Sequence, residues 1–152
     1  MSVPPNIDRF NKATLLVFDT LYLAFPVPVE LSASKIAMDT LPPDAEFDES
    51  FESIKPVFYT IEFLKKEGYI DYVDHYLDGT AFQQARLTSK SLALLGQTPD
   101  SLTTHVSIAE TLRDLVKGGI KNVGSEAAKK AVELVFAHGG TLLSLSQTAG
   151  GG

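Results

Sequence analysis

The chain contains no cysteine, which excludes disulfides, thiolate zinc sites and cysteine nucleophiles together. It has no apolar run of the length needed to cross a bilayer. Its opening, MSVPPNIDRF, lacks the basic stretch and apolar run of a secretory leader. A cytoplasmic location without a membrane partner is therefore expected. Basic side chains are the scarcer charge, 13 Lys and Arg against 19 Asp and Glu, a net charge of −6. That sign disfavours unselective nucleic-acid binding, which depends on neutralising phosphates.

Histidine is scarce too. His75, His105 and His138 are too scattered to form a spaced metal pair. The best local cluster is His75 with Asp71, Asp74 and Asp78. It reads better as a solvated strand and turn than as a metal site, because ligands must converge on one point. Asp48, Glu49 and Glu52 read as solvated helix-start acids rather than an acid–base pair. The glycine pairs lack a phosphate-loop pattern, and no Ser, Lys or Asp sits in a nucleophile motif. The sequence is thus expected to encode a protein that is not an enzyme and carries neither cofactor nor metal.

What is present is an ordinary globular composition: 152 residues, 44% apolar and 21% charged. Ile7, Phe10, Leu15, Phe18, Leu21 and Tyr22 recur at helical spacing, with Leu16, Val17 and Leu23 widening the stripe. This predicts a helix buried on most sides, starting at Asn6 or Asp8 and stopped by Pro26 and Pro28. Val27, Val29 and Leu31 suggest a very short strand, and Ser32 or Ser34 caps a second short helix. After the Pro42-Pro43 loop, Phe51, Ile54, Phe58, Ile61 and Leu64 share the face of a third helix. Pro56 either kinks that helix or marks its start. Gly68 ends it after Lys65 and Lys66.

Beyond Gly68 the period changes to two. Ile70, Tyr72 and Tyr76 fall on one strand face, with Val73 and Leu77 on the other. Asp78-Gly79 is a turn signal. The return strand spans residues 81–87, where strict alternation puts Ala81, Gln83, Ala85 and Leu87 opposite Phe82, Gln84 and Arg86. Thr88 caps a helix ended by Gly96. The fold class expected is mainly α with a small β-hairpin.

Two segments carry a family resemblance. Phe63-Leu64-Lys65-Lys66-Glu67-Gly68-Tyr69-Ile70 resembles the end of the recognition helix in bacterial winged helix-turn-helix regulators. Leu87-Thr88-Ser89-Lys90-Ser91-Leu92-Ala93-Leu94-Leu95 is similar to their strand-to-helix step after the wing, although Ser91 stands where those regulators commonly have glycine. In architecture the resemblance covers roughly residues 6–96. It implies a binding module that contacts duplex DNA through the third helix and wing, often as a dimer. The candidate contacts are Lys55, Tyr59, Thr60, Lys65 and Lys66 on the helix and Gln83, Gln84, Arg86 and Lys90 around the wing.

Residues 48–96 nevertheless carry 8 acidic and only 5 basic side chains. An acidic winged-helix protein that binds another protein instead of DNA is the alternative. Residues 1–96 form the winged-helix domain on this reading, and 97–152 a helical extension with a Gly-rich tail. Ser101 is a plausible cap for a helix through Leu102, Val106, Ala109, Leu112, Leu115 and Val116. Ser125 or Glu126 starts another, which carries Ala128, Ala131, Val132, Val135 and Phe136. The extension either completes the core or forms a homodimer through residues 101–138.

Overall fold

The computed structural model describes residues 2–48, 50–99 and 106–137. It is mainly helical with one small antiparallel sheet. Helix α1 spans Pro5–Ala24, with Pro5 in the first turn, where a missing N–H costs nothing. It begins at Pro5 rather than at Asn6 or Asp8. It ends before Phe25, which the following proline holds extended at ψ 138°. Nearly every residue from Ala13 to Phe18 is buried, so α1 is the central helix.

Strand β1 (Val29–Ser32) leads directly into α2 (Ala33–Asp39), capped by Ser32, whose hydroxyl accepts from the Lys35 N–H at 3.1 Å. Helix α3 (Phe51–Lys66) runs unbroken through Pro56 and buries Ile54, Val57, Phe58, Ile61 and Leu64. Gly68 closes it at φ 82°, with the Tyr69 N–H bonded to the Leu64 carbonyl at 2.9 Å.

The hairpin's outgoing strand is split into β2 (Ile70–Asp71) and β3 (Asp74–His75), and both pair with β4 (Ala81–Leu87). The strand order is β1-β4-β2, so the return strand lies at the centre. Strict alternation fails in β4. Val29 faces Ala85 and Leu31 faces Phe82, so β4 has one more residue than β1 between these pairs. Gln84 takes up the excess at φ 55°. The bulge turns Phe82 to the buried side with Ala85 and Leu87, where alternation alone had put it opposite them.

At the hairpin tip, Gly79 has φ 75°, and a Cβ there would lie 2.9 Å from Phe51 Cε1. Gly79→Ala is expected to cost about 2–3 kcal/mol, one part from the left-handed backbone and one from the clash. Gly68→Ala shares the positive φ but meets nothing within 4 Å. It isolates the backbone part, about 1 kcal/mol. Urea unfolding of the two variants separates the terms, and equal losses would remove the clash from the account.

Helix α4 (Ser89–Leu95) is capped by Thr88. Helix α5 (Ile108–Lys117) begins at Ile108, capped by Ser107, while Ser101 and Leu102 lie outside the described residues. A 3-10 turn, Ile120–Asn122, leads to α6, residues 125–137. Ile108, Leu112, Ala128, Val132 and Val135 belong to the same hydrophobic cluster as Leu15, Phe18 and Leu64. Phe136 of α6 meets Tyr69 at 5.1 Å between ring centroids. The aliphatic stripes of α5 and α6 are therefore largely buried within their own chain. No described helix is long and apolar enough to cross a membrane.

Candidate interaction face

The 3.6-residue period of α3 sets two faces. One enters the core. The other presents Glu52, Lys55, Tyr59, Glu62, Phe63 and Lys66 along one exposed stripe. Tyr59 is 49% exposed and Phe63 43%. The Phe63 ring meets Phe10 of α1 edge-on at 5.6 Å. With Asn6 and Pro56, these aromatic side chains line a shallow groove of about 300 Å3 between α1 and α3.

The hairpin stands beside this helix at a geometry fixed by edge-on and tilted ring contacts. Phe58 lies 5.1 Å from Phe82 and 4.9 Å from His75, and Tyr72 lies 4.7 Å from Phe82. Val73, between β2 and β3, and Tyr76 and Leu77 near the tip are exposed, Leu77 with its whole side chain in solvent. Sequence reasoning missed Phe63, Val73 and Leu77 as site residues. The period-two signal that set Val73 and Leu77 opposite Ile70 could have found them.

The nine side chains predicted to reach a ligand divide into two groups. Lys55, Tyr59, Lys66, Gln84 and Arg86 are exposed on the expected face. The cations Lys55, Lys66 and Arg86 make no hydrogen bond or ion pair among the described residues. The other four are engaged within the chain. Thr60, expected to face outward, is 6% exposed, and its hydroxyl donates to the Pro56 carbonyl at 2.8 Å. Lys65 donates to the Tyr72 carbonyl at 2.8 Å, pairs with Asp71 at 3.6 Å and lies 4.2 Å over the Tyr72 ring. Lys90 donates to the Glu67 carbonyl at 3.1 Å and covers the Tyr69 ring at 4.0 Å. Gln83 is half-buried against Tyr76.

Acids surround this face: Glu30, Glu52, Glu62, Glu67, Asp71, Asp74 and Asp78 are all exposed. Their field is felt by the tyrosines. Burial first, and then Glu62, Asp71 and Asp74, push the Tyr72 phenol above its ordinary pKa. Tyr69 is raised by burial and by Glu67. Tyr76 is raised by donating to the Glu30 carboxylate at 2.8 Å. The His75 Nδ1 donates to the Tyr76 carbonyl at 2.8 Å, and among the described residues no three His, Asp or Glu converge on a metal position.

Two carboxylates hold the turns at either end of the Phe51–Gly79 contact. Asp48 accepts from both the hydroxyl and the N–H of Ser50, and Asp78 from both those groups of Thr80. These bonds, the hydroxyl's first, hold both pKa values below the usual carboxylate range. A depressed folded pKa gives stability that is complete above the unfolded value and is lost as pH falls through the folded one. On titration from neutral pH into acid, the Ser50 and Thr80 amide shifts should therefore show midpoints below the ordinary carboxylate value. Amide NMR across that range checks this, and a midpoint at or above the ordinary value would refute it.

Comparison with protein-family models, with characterised proteins and with solved structures gives no match.

Proposed function

We propose that the chain is a winged-helix module whose third helix and wing bind a protein partner. The order helix, strand, two helices and hairpin supports the winged-helix reading, as does the first strand pairing with the return strand. One observation carries the choice of partner. The outward face of α3 and the hairpin expose Tyr59, Phe63, Val73 and Leu77 within an acidic surround, while Lys65 and Lys90 are held on carbonyls of their own chain. Exposed apolar side chains rimmed by polar ones suit a protein interface. Phosphate contacts require several free cations, and each nearby acid subtracts from them. A cytoplasmic setting belongs to the same reading.

Duplex DNA is the second reading, favoured by the unpaired Lys55, Lys66 and Arg86 and by Gln84 beside them. A photo-crosslinker at position 59 or 77 should capture one protein partner, and Phe63→Ser with Leu77→Ser should abolish that capture. Duplex titration over a salt series decides the other way. Salt-sensitive binding weakened by Lys55→Ala, Lys66→Ala and Arg86→Ala together would replace the protein reading with the DNA one. Self-association through residues 101–138, the other partner considered, is read by light scattering of the intact chain.

A further inference from the structure

Strand β1 is an edge: among the described residues it pairs with β4 alone. Beside it lies a cleft of about 800 Å3, a size typical of ligand sites. Glu30, Leu31 and Ser32, three consecutive residues of β1, all line it. Side chains alternate across a strand, so three in a row share one cavity only where the cavity opens on the strand's edge. The backbone N–H and C=O groups on that edge pair with no other strand among the described residues. The opposite wall is aliphatic, with Leu16 from α1, Ile36 from α2, and Val116 and Ile120 from the α5 end. Charges of both signs stand at the rim, Lys35 and Lys121 with Glu30 and Asp39.

We propose that this cleft receives an extended peptide segment of a partner as an added strand on β1. Main-chain pairing supplies the affinity in such binding, and pockets for alternate side chains supply the selectivity. The aliphatic wall selects aliphatic residues at every second position. The mixed rim selects a segment whose intervening residues carry both signs of charge. β1 has four residues, which sets the length of the pairing. None of the lining residues belongs to α3 or the hairpin, and the two faces meet only where Glu30 accepts from the Tyr76 hydroxyl.

The test is an amide NMR titration of the intact chain with a blocked heptapeptide alternating valine with lysine and glutamate. Because the pairing is through the main chain, this generic sequence should bind in the millimolar range or tighter. Saturable shifts are expected at Glu30, Leu31, Ser32, Ile36 and Ile120. N-methylation of alternate peptide nitrogens removes the donors and should weaken binding roughly ten-fold or more. The Phe63→Ser, Leu77→Ser variant should bind the peptide unchanged, which separates this inference from the α3 reading. No saturable shift at millimolar peptide overturns the proposal, as does equal binding of the N-methylated peptide, which would mean a merely apolar pocket. Shifts confined to Tyr59 and Phe63 also overturn it. So does a dimer of the intact chain that excess peptide dissociates in light scattering, which would put a second copy on that edge.

Discussion

Arg113→Ala is expected to cost about 3 kcal/mol of folding stability, at the low end of the range for breaking a buried ion pair. Asp19 lies in the C-terminal half of α1 with its side chain 7% exposed, and Arg113 Nη1 donates to its Oδ2 at 2.8 Å. No other partner reaches that carboxylate among the described residues. Truncating the arginine therefore leaves a charge in the core that water reaches poorly. The guanidinium itself is 43% exposed, which tempers the loss. The paired change Asp19→Leu, Arg113→Leu should recover most of the stability, because it removes the buried charge together with its partner. Urea unfolding measures both. The pair joins residues 94 apart in sequence, from the first helix to the fifth. A loss below about 1 kcal/mol for Arg113→Ala would mean that α5 is not seated on α1 as described.

That contact lies in the part of the fold that was hardest to read from sequence. The central helix was legible because its apolar spacing is wide and Pro26 ends it sharply. The caps at Ser32 and Thr88 and the turn at Asp78-Gly79 were legible because each has a local mechanism. The start of α5 was not, although Ser107-Ile108-Ala109-Glu110 is a capping-box signature, with Ser107 Oγ accepting from the Glu110 N–H at 3.2 Å. Leu102 and Val106 continue the apolar period upstream, and spacing alone placed the start too early.

On the candidate face, residue type gave the exposed stripe of α3 but not the fate of its cations. Lys65 and Lys90 are drawn to the rings of Tyr72 and Tyr69, which distant parts of the backbone bring within reach. Thr60 is polar by type, yet its helical position turns it inward, where its hydroxyl satisfies the Pro56 carbonyl. The capture of the two lysines depends on how the chain folds back, which no local pattern records, whereas the Thr60 bond to the carbonyl four residues earlier is local and only its burial depends on packing.

The bulge in β4 is the clearest case, and Phe82→Ala tests it with an expected loss of about 3–5 kcal/mol. Counting alternate residues puts Phe82 away from Ala85 and Leu87, on a face where truncation would cost little. The positive φ of Gln84 reverses this. Phe82 is 0% exposed and packs against Phe58, Tyr72 and His75. Removing its ring opens a cavity at the junction of α3 and the hairpin. Leu77→Ala, five residues earlier and wholly exposed, should change stability by less than about 0.5 kcal/mol. Chemical denaturation of the two variants makes the contrast, provided the m-values stay equal. If Phe82→Ala costs under about 1 kcal/mol, the residue does not lie on the core face and the bulged register is wrong. Gln84 would still face outward, because alternation from Ala85 and Leu87 already puts it there, so Phe82 alone tests the bulge.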